Sequence, residues 1–579
     1  MSQETPPNGT DIPKRTGFEL VKEESRWLRG TLADELAQDT DHFSDNAKNL
    51  LKFHGSYQQE DRDARKKRDK AGVGKHYMCM IRLKLPAGQM TAKQYLAMDD
   101  LAAQYGNSTL RFTTRQSIQF HGVLKSNLRA HIKAINDTLL TTLGGCGDVN
   151  RNVMACPAPL ADPVRKETND LAFQIAAHLA PRSCAYHDIW LNGEKLSPDA
   201  SVDEGIEPIY GKVYLPRKFK IGLAMPHDNC VDVYAQDLGF LAIIENGRTI
   251  GYNVLVGGGM GMTHGNANTF PHLGKPICFV EPNEVVGAAE AVIKFFRDTG
   301  NRADRKRARV KYVVHDWGVE RVRATLAKDY LVTPLRLPKD VRITNVDLHH
   351  GWHPQGDGKW FLGVSVENGR LKDEGDLRLR TAVRTIVEKI GAGVRLTPQQ
   401  DLLLCEIDTA NRSVVDNLLA QHGVARSENL SLVQKWSMAC PAIPTCGLAI
   451  SESERALPGV VDSLEPELKA LGLEEERISI RMTGCPNGCA RPYQSEIGIV
   501  GRSGDKYTLF LGGSTLGERL SFTFQDLVPR EQIVPLLKKV LGRFKSDRAN
   551  GESFGDYCTR MGSEKLAAMA GVTPAAKGH

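Results

Sequence analysis

The sequence predicts an α+β protein made of two related halves, on three pairs of matching segments. The pentapeptide MACPA occurs at Met154–Ala158 and again at Met438–Ala442. RFTTRQSIQF (Arg111–Phe120) resembles RLTPQQDLLL (Arg395–Leu404), and both pairs are 284 residues apart. GYNVLVGGG (Gly251–Gly259) resembles KYTLFLGGS (Lys506–Ser514). Two independent matches with one offset indicate duplication, and a repeat constrains a fold before any local propensity does.

The elements follow the same order in each half. In the first, a strand-like MIRLKLP (Met80–Pro86) precedes a helical pattern capped by Thr91 and stopped at Gly106; short strands follow around Arg111 and Ile118. In the second, WFLGVSVE (Trp360–Glu367) precedes a helical run ending near Gly391, then strands around Arg395 and Leu402. Each half thus reads as a small strand–helix–strand unit followed by a larger α+β unit, joined through the proline-punctuated TPLRLPKD (Thr333–Asp340). The expected divisions are 1–70 (tail and docking segment), 71–145 and 340–425 (small units), and 146–335 and 426–579 (large units).

Composition narrows the function classes. Hydrophobic residues at 41% and charged residues at 25% fit a globular protein, and no run of 18 apolar residues is present to span a membrane. The N-terminus has no apolar core after its charges, so no export signal is expected and the first dozen residues read as a disordered tail. The expected location is the cytoplasm. A net charge of +6 with both signs interspersed does not suggest nucleic-acid binding. Two basic runs, Arg62–Lys70 and Asn301–Lys311, read as solvated helix faces or anion sites. Eight of the twelve cysteines (Cys79, Cys146, Cys156, Cys184, Cys230, Cys278, Cys405, Cys558) are scattered singly and read as small buried hydrophobes.

The other four form C-x5-C, a gap of 38 residues, then C-x3-C: Cys440, Cys446, Cys485 and Cys489. Only the second half has them, since Asp162 stands six residues after Cys156. Zinc sites favour shorter cysteine knuckles, often with histidine, and no histidine lies near either pair. Four thiolates suit an iron–sulfur cluster; zinc and four ordinary buried thiols are the alternatives. Gly488 permits the tight turn that returns Cys489 towards Cys485.

CPAIPTC and TGCPNGC resemble the signature of the sulfite and nitrite reductase family, which holds sirohaem and a 4Fe-4S cluster. The resemblance extends through LRGTLADEL, FHGSYQQEDRDAR, RQSIQFHG, NRNV, LPRKFK, NVLVGGG and GESFGDY, covering nearly the whole chain past the tail. It implies ferredoxin-like small units and sirohaem- and cluster-binding large ones. It also implies that Cys440, Cys446, Cys485 and Cys489 hold the cluster, with Cys489 bridging to the sirohaem iron. The implied activity is six-electron reduction of sulfite to sulfide. The implied substrate-binding side chains are Arg82, Arg151, Lys218 and Lys220, with Arg111, Arg115, Gln119, Asn487 and Lys311 or Arg309 towards the sirohaem carboxylates.

The residue chemistry suits those tasks. Arginine forks two donors onto an oxyanion, and clustered cations depress a lysine pKa towards useful proton donation. Lys218 and Lys220 alternate along a strand-like RKFKI and should share one face. His54 and His121 read as partners in local hydrogen bonds. VGGGMGMTHG fits no G-x-G-x-x-G register, and no phosphate-loop motif is present, so electrons should come from another protein. The segment to about residue 70 resembles that of subunits served by a diflavin (FAD/FMN) NADPH-dependent flavoprotein alpha subunit. The alternatives are a ferredoxin-dependent sulfite or nitrite reductase and, from a different class, a non-enzymatic zinc or cluster scaffold.

Overall fold

Two small sheets open the architecture, each completed by an arm from the other half. In the computed structural model, which describes residues 15–182, 189–191, 194–196 and 207–575, the first sheet orders Ser56–Glu60, Tyr77–Arg82, Ile118–Val123, Leu110–Phe112 and Arg370–Leu371. The second orders Gly351–Pro354, Lys359–Val364, Leu402–Asp408, Gly393–Leu396 and Gln89–Met90. Arg370 pairs with Arg111, and Arg395 with Gln89, so the two-residue arms are exchanged reciprocally. The expected tail and Cys184 lie outside the described residues.

Local chemistry explains the helices beside these sheets. Helix Ala92–Tyr105 starts at a capping box, where Thr91 Oγ1 accepts from Gln94 N (3.2 Å) and Gln94 Oε1 from Thr91 N (3.0 Å), and it stops at Gly106. Its counterpart Leu379–Ile390 ends at Gly391 in the left-handed conformation. The two helices meet through buried Asp99, which accepts from Arg380 Nε (2.6 Å) and Arg384 Nη1 (2.8 Å).

Each half also contains a larger five-stranded sheet. The first comprises β1 (Asn150–Met154), β2 (Phe219–Ala224), β3 (Leu238–Glu245), β4 (Arg248–Val256) and β5 (Lys275–Val280). The second comprises β6 (Ser437–Ala439), β7 (Ile480–Thr483), β8 (Ile497–Ser503), β9 (Lys506–Leu511) and β10 (Phe522–Pro529). In both, the first three strands are parallel and the last two antiparallel. The registers agree as well: Met154 pairs with Gly222 as Met438 with Arg481, and Leu238 with Ile221 as Ile497 with Ile480.

The joining stretch around Thr333–Asp340 is extended, touching strand geometry only where Arg336 bridges Phe279. One apolar cluster runs from Leu28 to Val424 and unites both small sheets with the first large one; a second, from Val433 to Ala570, fills the last unit. The segment proposed for docking is also part of this body. Leu28 and Phe53 are buried, Ser56–Glu60 pairs with Tyr77–Arg82, and buried Lys22 is tied to Glu19 (2.6 Å) and to Leu215 O (2.7 Å). No helix among the described residues is long and apolar enough to cross a membrane.

Candidate active site between the two halves

Cys440 follows β6, and Cys485 and Cys489 lie in the turn between β7 and β8, so two adjacent parallel strands deliver three of the four cysteines to one end of the sheet. Cys446 closes its own loop, with its N–H donating to Ala442 O (2.8 Å). Gly484 N donates to Cys440 Sγ and Asn487 Nδ2 to Cys485 Sγ, each at 3.4 Å. Gly488 takes the positive φ of 61° that the turn requires. Burial, then the nearby Cys489, pushes the thiols of Cys440 and Cys446 above their ordinary range and that of Cys485 up to about 12. Such groups become thiolates only beside a strong positive charge, which bound iron provides. Four soft sulfur donors with no nitrogen or oxygen ligand among them fit an iron–sulfur cluster.

Cys489 is the exposed member of the set, and it lies on the wall of a small polar cavity. The cavity wall includes Thr114, Arg115, Lys218, Lys220, Arg309, Asn487 and Arg491, and no carboxylate side chain lines it. Lys218 and Lys220 flank buried Phe219 at the start of β2 and reach the same space, as their alternation predicts. Neither ammonium has a hydrogen-bond or ion-pair partner among the described residues. Burial and then Arg151 and Arg309 bring Lys218 down to about 7; burial and then Lys218 itself hold Lys220 well below its ordinary value. Arg309 and Arg491 are paired with Asp237 and Asp232, which leaves Lys218 and Lys220 without a counter-charge beside the Cys489 thiol. That excess of positive charge suits carboxylates of a tetrapyrrole and a small oxyanion.

The remaining predicted residues divide by position. Arg115 lines the cavity and donates to Gln236 Oε1 and Asn152 O. Asn487 lines it beside Cys489. Arg82 and Arg151 stand together near Tyr57 and Cys146: Arg82 Nη1 lies 2.8 Å from Cys146 Sγ, and Arg151 Nη2 donates to Gly147 O (3.2 Å). With its amide turned so that the oxygen faces the guanidinium, Gln119 accepts from Arg82 Nε at 2.9 Å.

Arg111 and Lys311 are committed to the protein itself. Arg111 is fully buried, donating to Glu454 Oε2 (3.0 Å) and to Ala439 O (2.7 Å), just before Cys440. Lys311 Nζ donates to the carbonyls of Gly259 (3.1 Å), Gly261 (2.6 Å) and Phe270. His54 Nε2 pairs with Leu28 O (2.8 Å), and His121 has Gln119 for a neighbour.

Other contributors are not singled out by sequence reasoning. Asp232 is buried between Arg481 Nη1 (2.8 Å) and Arg491 Nε, and Arg491 Nη1 donates to Thr114 O (3.0 Å), whose hydroxyl donates to Cys489 O (3.0 Å). The first half thereby buttresses the turn that presents Cys489. Met262 N adds a bond to Pro486 O (3.0 Å). An arginine two residues after Cys489 is the available signal, and only the fold reveals its partner.

Profile comparison matches the nitrite and sulphite reductase 4Fe-4S domain over residues 171–335 and the nitrite/sulfite reductase ferredoxin-like half domain over 72–137 and 353–422. The sulfite reductase [NADPH] hemoprotein beta-component of Staphylococcus haemolyticus is 44% identical over 550 residues, covering 95% of each chain. That of Paenibacillus sp. is 45% identical over 549 residues, covering 94% of this chain and 95% of the relative. This chain belongs to the nitrite and sulphite reductase family. The Mycobacterium tuberculosis NirA structure, 23% identical, shares the fold with a TM-score of 0.75 over 94% of this chain and 95% of that one. The family's 4Fe-4S domain match falls on the first large unit, whereas the four cysteines lie in the second. The repeat relates the two.

Proposed function

We propose that this chain is the haemoprotein component of an assimilatory sulfite reductase, reducing sulfite to sulfide with six electrons. The observation that carries the reading is the cation-lined cavity into which Cys489 opens. Cys440, Cys446, Cys485 and Cys489 would hold a 4Fe-4S cluster, with Cys489 shared with sirohaem. Bound there, the pair supplies electrons one after another to a single site. The relatives' name, sulfite reductase [NADPH] hemoprotein beta-component, supports the same substrate.

The protein's own residues do the rest. Lys218 and Lys220, with Arg115 behind them, draw a small dianion into the cavity and offset its charge. Arg82 and Arg151 supply the planar donors of a second cationic group. A lysine whose pKa is lowered towards neutrality gives up a proton readily, so Lys218 Nζ is positioned to protonate substrate oxygen as it leaves. Thr114, Arg491 and Asp232 keep the Cys489 turn fixed while charge changes around it.

Electrons would enter from a diflavin NADPH-dependent flavoprotein. The basic helix Arg62–Lys70 supports docking near it, since its first residue touches the cysteine loop while Lys67 and Lys70 face solvent. All eleven described cysteines are free, in keeping with a reducing cytoplasm.

The deciding experiment is an absorption spectrum of the purified chain with iron and acid-labile sulfide counts, followed by turnover with sulfite and with nitrite. A colourless, iron-free but folded protein made in cells that synthesise sirohaem would refute the proposal. Preferential turnover of nitrite would refute the substrate. The double variant Lys67→Glu/Lys70→Glu should slow NADPH-driven turnover while sparing that driven by a small-molecule reductant; equal loss of both would reject docking at this helix.

A further inference from the structure

We propose that the first half holds a second, mononuclear metal site, formed by Cys156, Asp228, Cys230 and His349 at the position that the internal repeat pairs with the iron–sulfur site. Sγ of both cysteines, a carboxylate oxygen of Asp228 and a ring nitrogen of His349 all lie within 4.8 Å of one another, and all four residues are buried. Cys156 Sγ is 3.0 Å from Asp228 Oδ2 and 3.4 Å from His349 Nε2, and that nitrogen is 3.1 Å from Asp228 Oδ2. Metal–ligand bonds of about 2.0–2.3 Å place tetrahedral zinc ligands roughly 3.3–3.8 Å apart. These three separations need to open by only a few tenths of an ångström.

The strand registers locate this site in the repeat. Since Met154 pairs with Gly222 as Met438 does with Arg481, Cys156 takes the place of Cys440. Since Leu238 pairs with Ile221 as Ile497 does with Ile480, positions 259 apart correspond across the β2–β3 and β7–β8 turns. Cys230 then takes the place of Cys489, and Asp228 that of Asn487. The next residues agree: Asp232 (φ 50°) and Arg491 (φ 56°) are both left-handed and each precedes a short 3-10 turn. Cys446 and Cys485 have no cysteine counterparts. Instead, His349, just before strand Gly351–Pro354, closes the set, itself at a positive φ of 58°.

The chemistry favours one zinc-like divalent ion over a cluster. Two thiolates, one imidazole and one carboxylate make a mixed sulfur–nitrogen–oxygen set of four, complete for tetrahedral zinc and too few in sulfur for a cube. With a dication the set carries one net negative charge, and Arg165 Nη2 stands 3.5 Å from Asp228 Oδ2 to offset it. Asp228 Oδ1 is already occupied by Cys230 N (3.1 Å), which leaves Oδ2 for the ion. Asp347 lies behind His349, with its carboxylate 3.6 Å from Nδ1 and accepting from His349 N (2.8 Å), an arrangement that orients a ligating ring. With every ligand buried and no open position, the site would be structural, fastening the segment that carries His349 to the first half.

The full chain, purified without chelator, should contain about one zinc per molecule in addition to its iron. Cobalt(II) supplied to an iron-replete chain should give a thiolate-to-cobalt charge-transfer band. Cys230→Ser and His349→Gln should each lower zinc at least about tenfold while iron content is retained, which also shows that the variants fold. Should either variant fail to fold, the cobalt spectrum of the unaltered chain decides. An iron-replete chain with neither zinc nor a cobalt–thiolate band would overturn the proposal, as would a Cys156–Cys230 disulfide detected by mass spectrometry. Zinc that persists in folded Cys230→Ser would overturn it too, since that metal would sit elsewhere.

Discussion

Arg62 Nη1 donates to the carbonyl of Cys446 at 3.0 Å and to that of Ala449 at 2.6 Å, so a helix near the N-terminus clamps the Cys446 loop 384 residues away. The clamp is doubled at the next residue, where Asp63 Oδ2 pairs with Arg455 Nη1 (2.7 Å). Charge-assisted bonds of this kind are worth about 1–3 kcal/mol each when partly buried. Arg62→Ala should therefore leave the fold intact but speed iron loss to a chelator several-fold, with Arg62→Lys intermediate. Unchanged iron release would show that the loop holds itself.

Gly484 bears on the same loop through space rather than charge. A Cβ there would lie 2.4 Å from Ser451 O and 2.6 Å from the Ala442 Cβ, and backbone cannot yield as a side-chain tip can. Gly484→Ala should displace the CPAIPTC loop and its bond to Cys440 Sγ. The expected result is a chain of near-normal circular dichroism with less than half the iron. Full iron content would mean that the loop shifts without loss.

How far the sequence foretold this architecture depended on whether each feature left a local trace. The Thr91 capping box, the stop at Gly391 and the C-x5-C/C-x3-C spacing are written within a few residues, and all three are legible. The exchanged arms Gln89–Met90 and Arg370–Leu371 are not, since two residues carry no periodicity. The motif places Arg111 towards the cofactor; in the folded chain its guanidinium donates to Glu454 and Ala439 O, contacts that only the packed arrangement reveals. Cys156 and Cys230 looked like solitary hydrophobes for a similar reason. The repeat offset changes from 284 to 259 between them, and His349 stands more than a hundred residues further along, just before strand Gly351–Pro354.

Lys218 carries a signed pH effect. Burial first, then Arg151, Arg309 and Arg217, bring its pKa down to about 7, while Cys489 opposes them weakly; in the unfolded chain the value is about 10.4. Between those limits the folded chain binds fewer protons than the unfolded one, so this residue makes stability rise with pH across that window. An anion in the cavity raises the pKa again, so binding takes up a proton and weakens as pH increases above about 7. Calorimetry of sulfite binding at pH 8 in two buffers of different ionisation enthalpy should show proton uptake that Lys218→Met reduces. Identical uptake in both proteins would assign the effect to another group.

Cys489 is the test of the shared ligand, because it alone of the four cysteines opens fully into the cavity while its backbone is held by Thr114 Oγ1 at 3.0 Å. Serine preserves size and that backbone bond but replaces a soft thiolate with a hard, weakly acidic hydroxyl. A structural cysteine would tolerate the exchange, costing a little stability and no pigment. A ligand common to cluster and macrocycle would not. Cys489→Ser should lose sulfite reduction and disturb both the iron count and the tetrapyrrole absorption, whereas Cys558→Ser, buried in the last core and absent from the cavity wall, should leave both spectra in place. Wild-type turnover by Cys489→Ser would place the bridge on another residue. Loss of iron with the tetrapyrrole spectrum intact would separate the two groups.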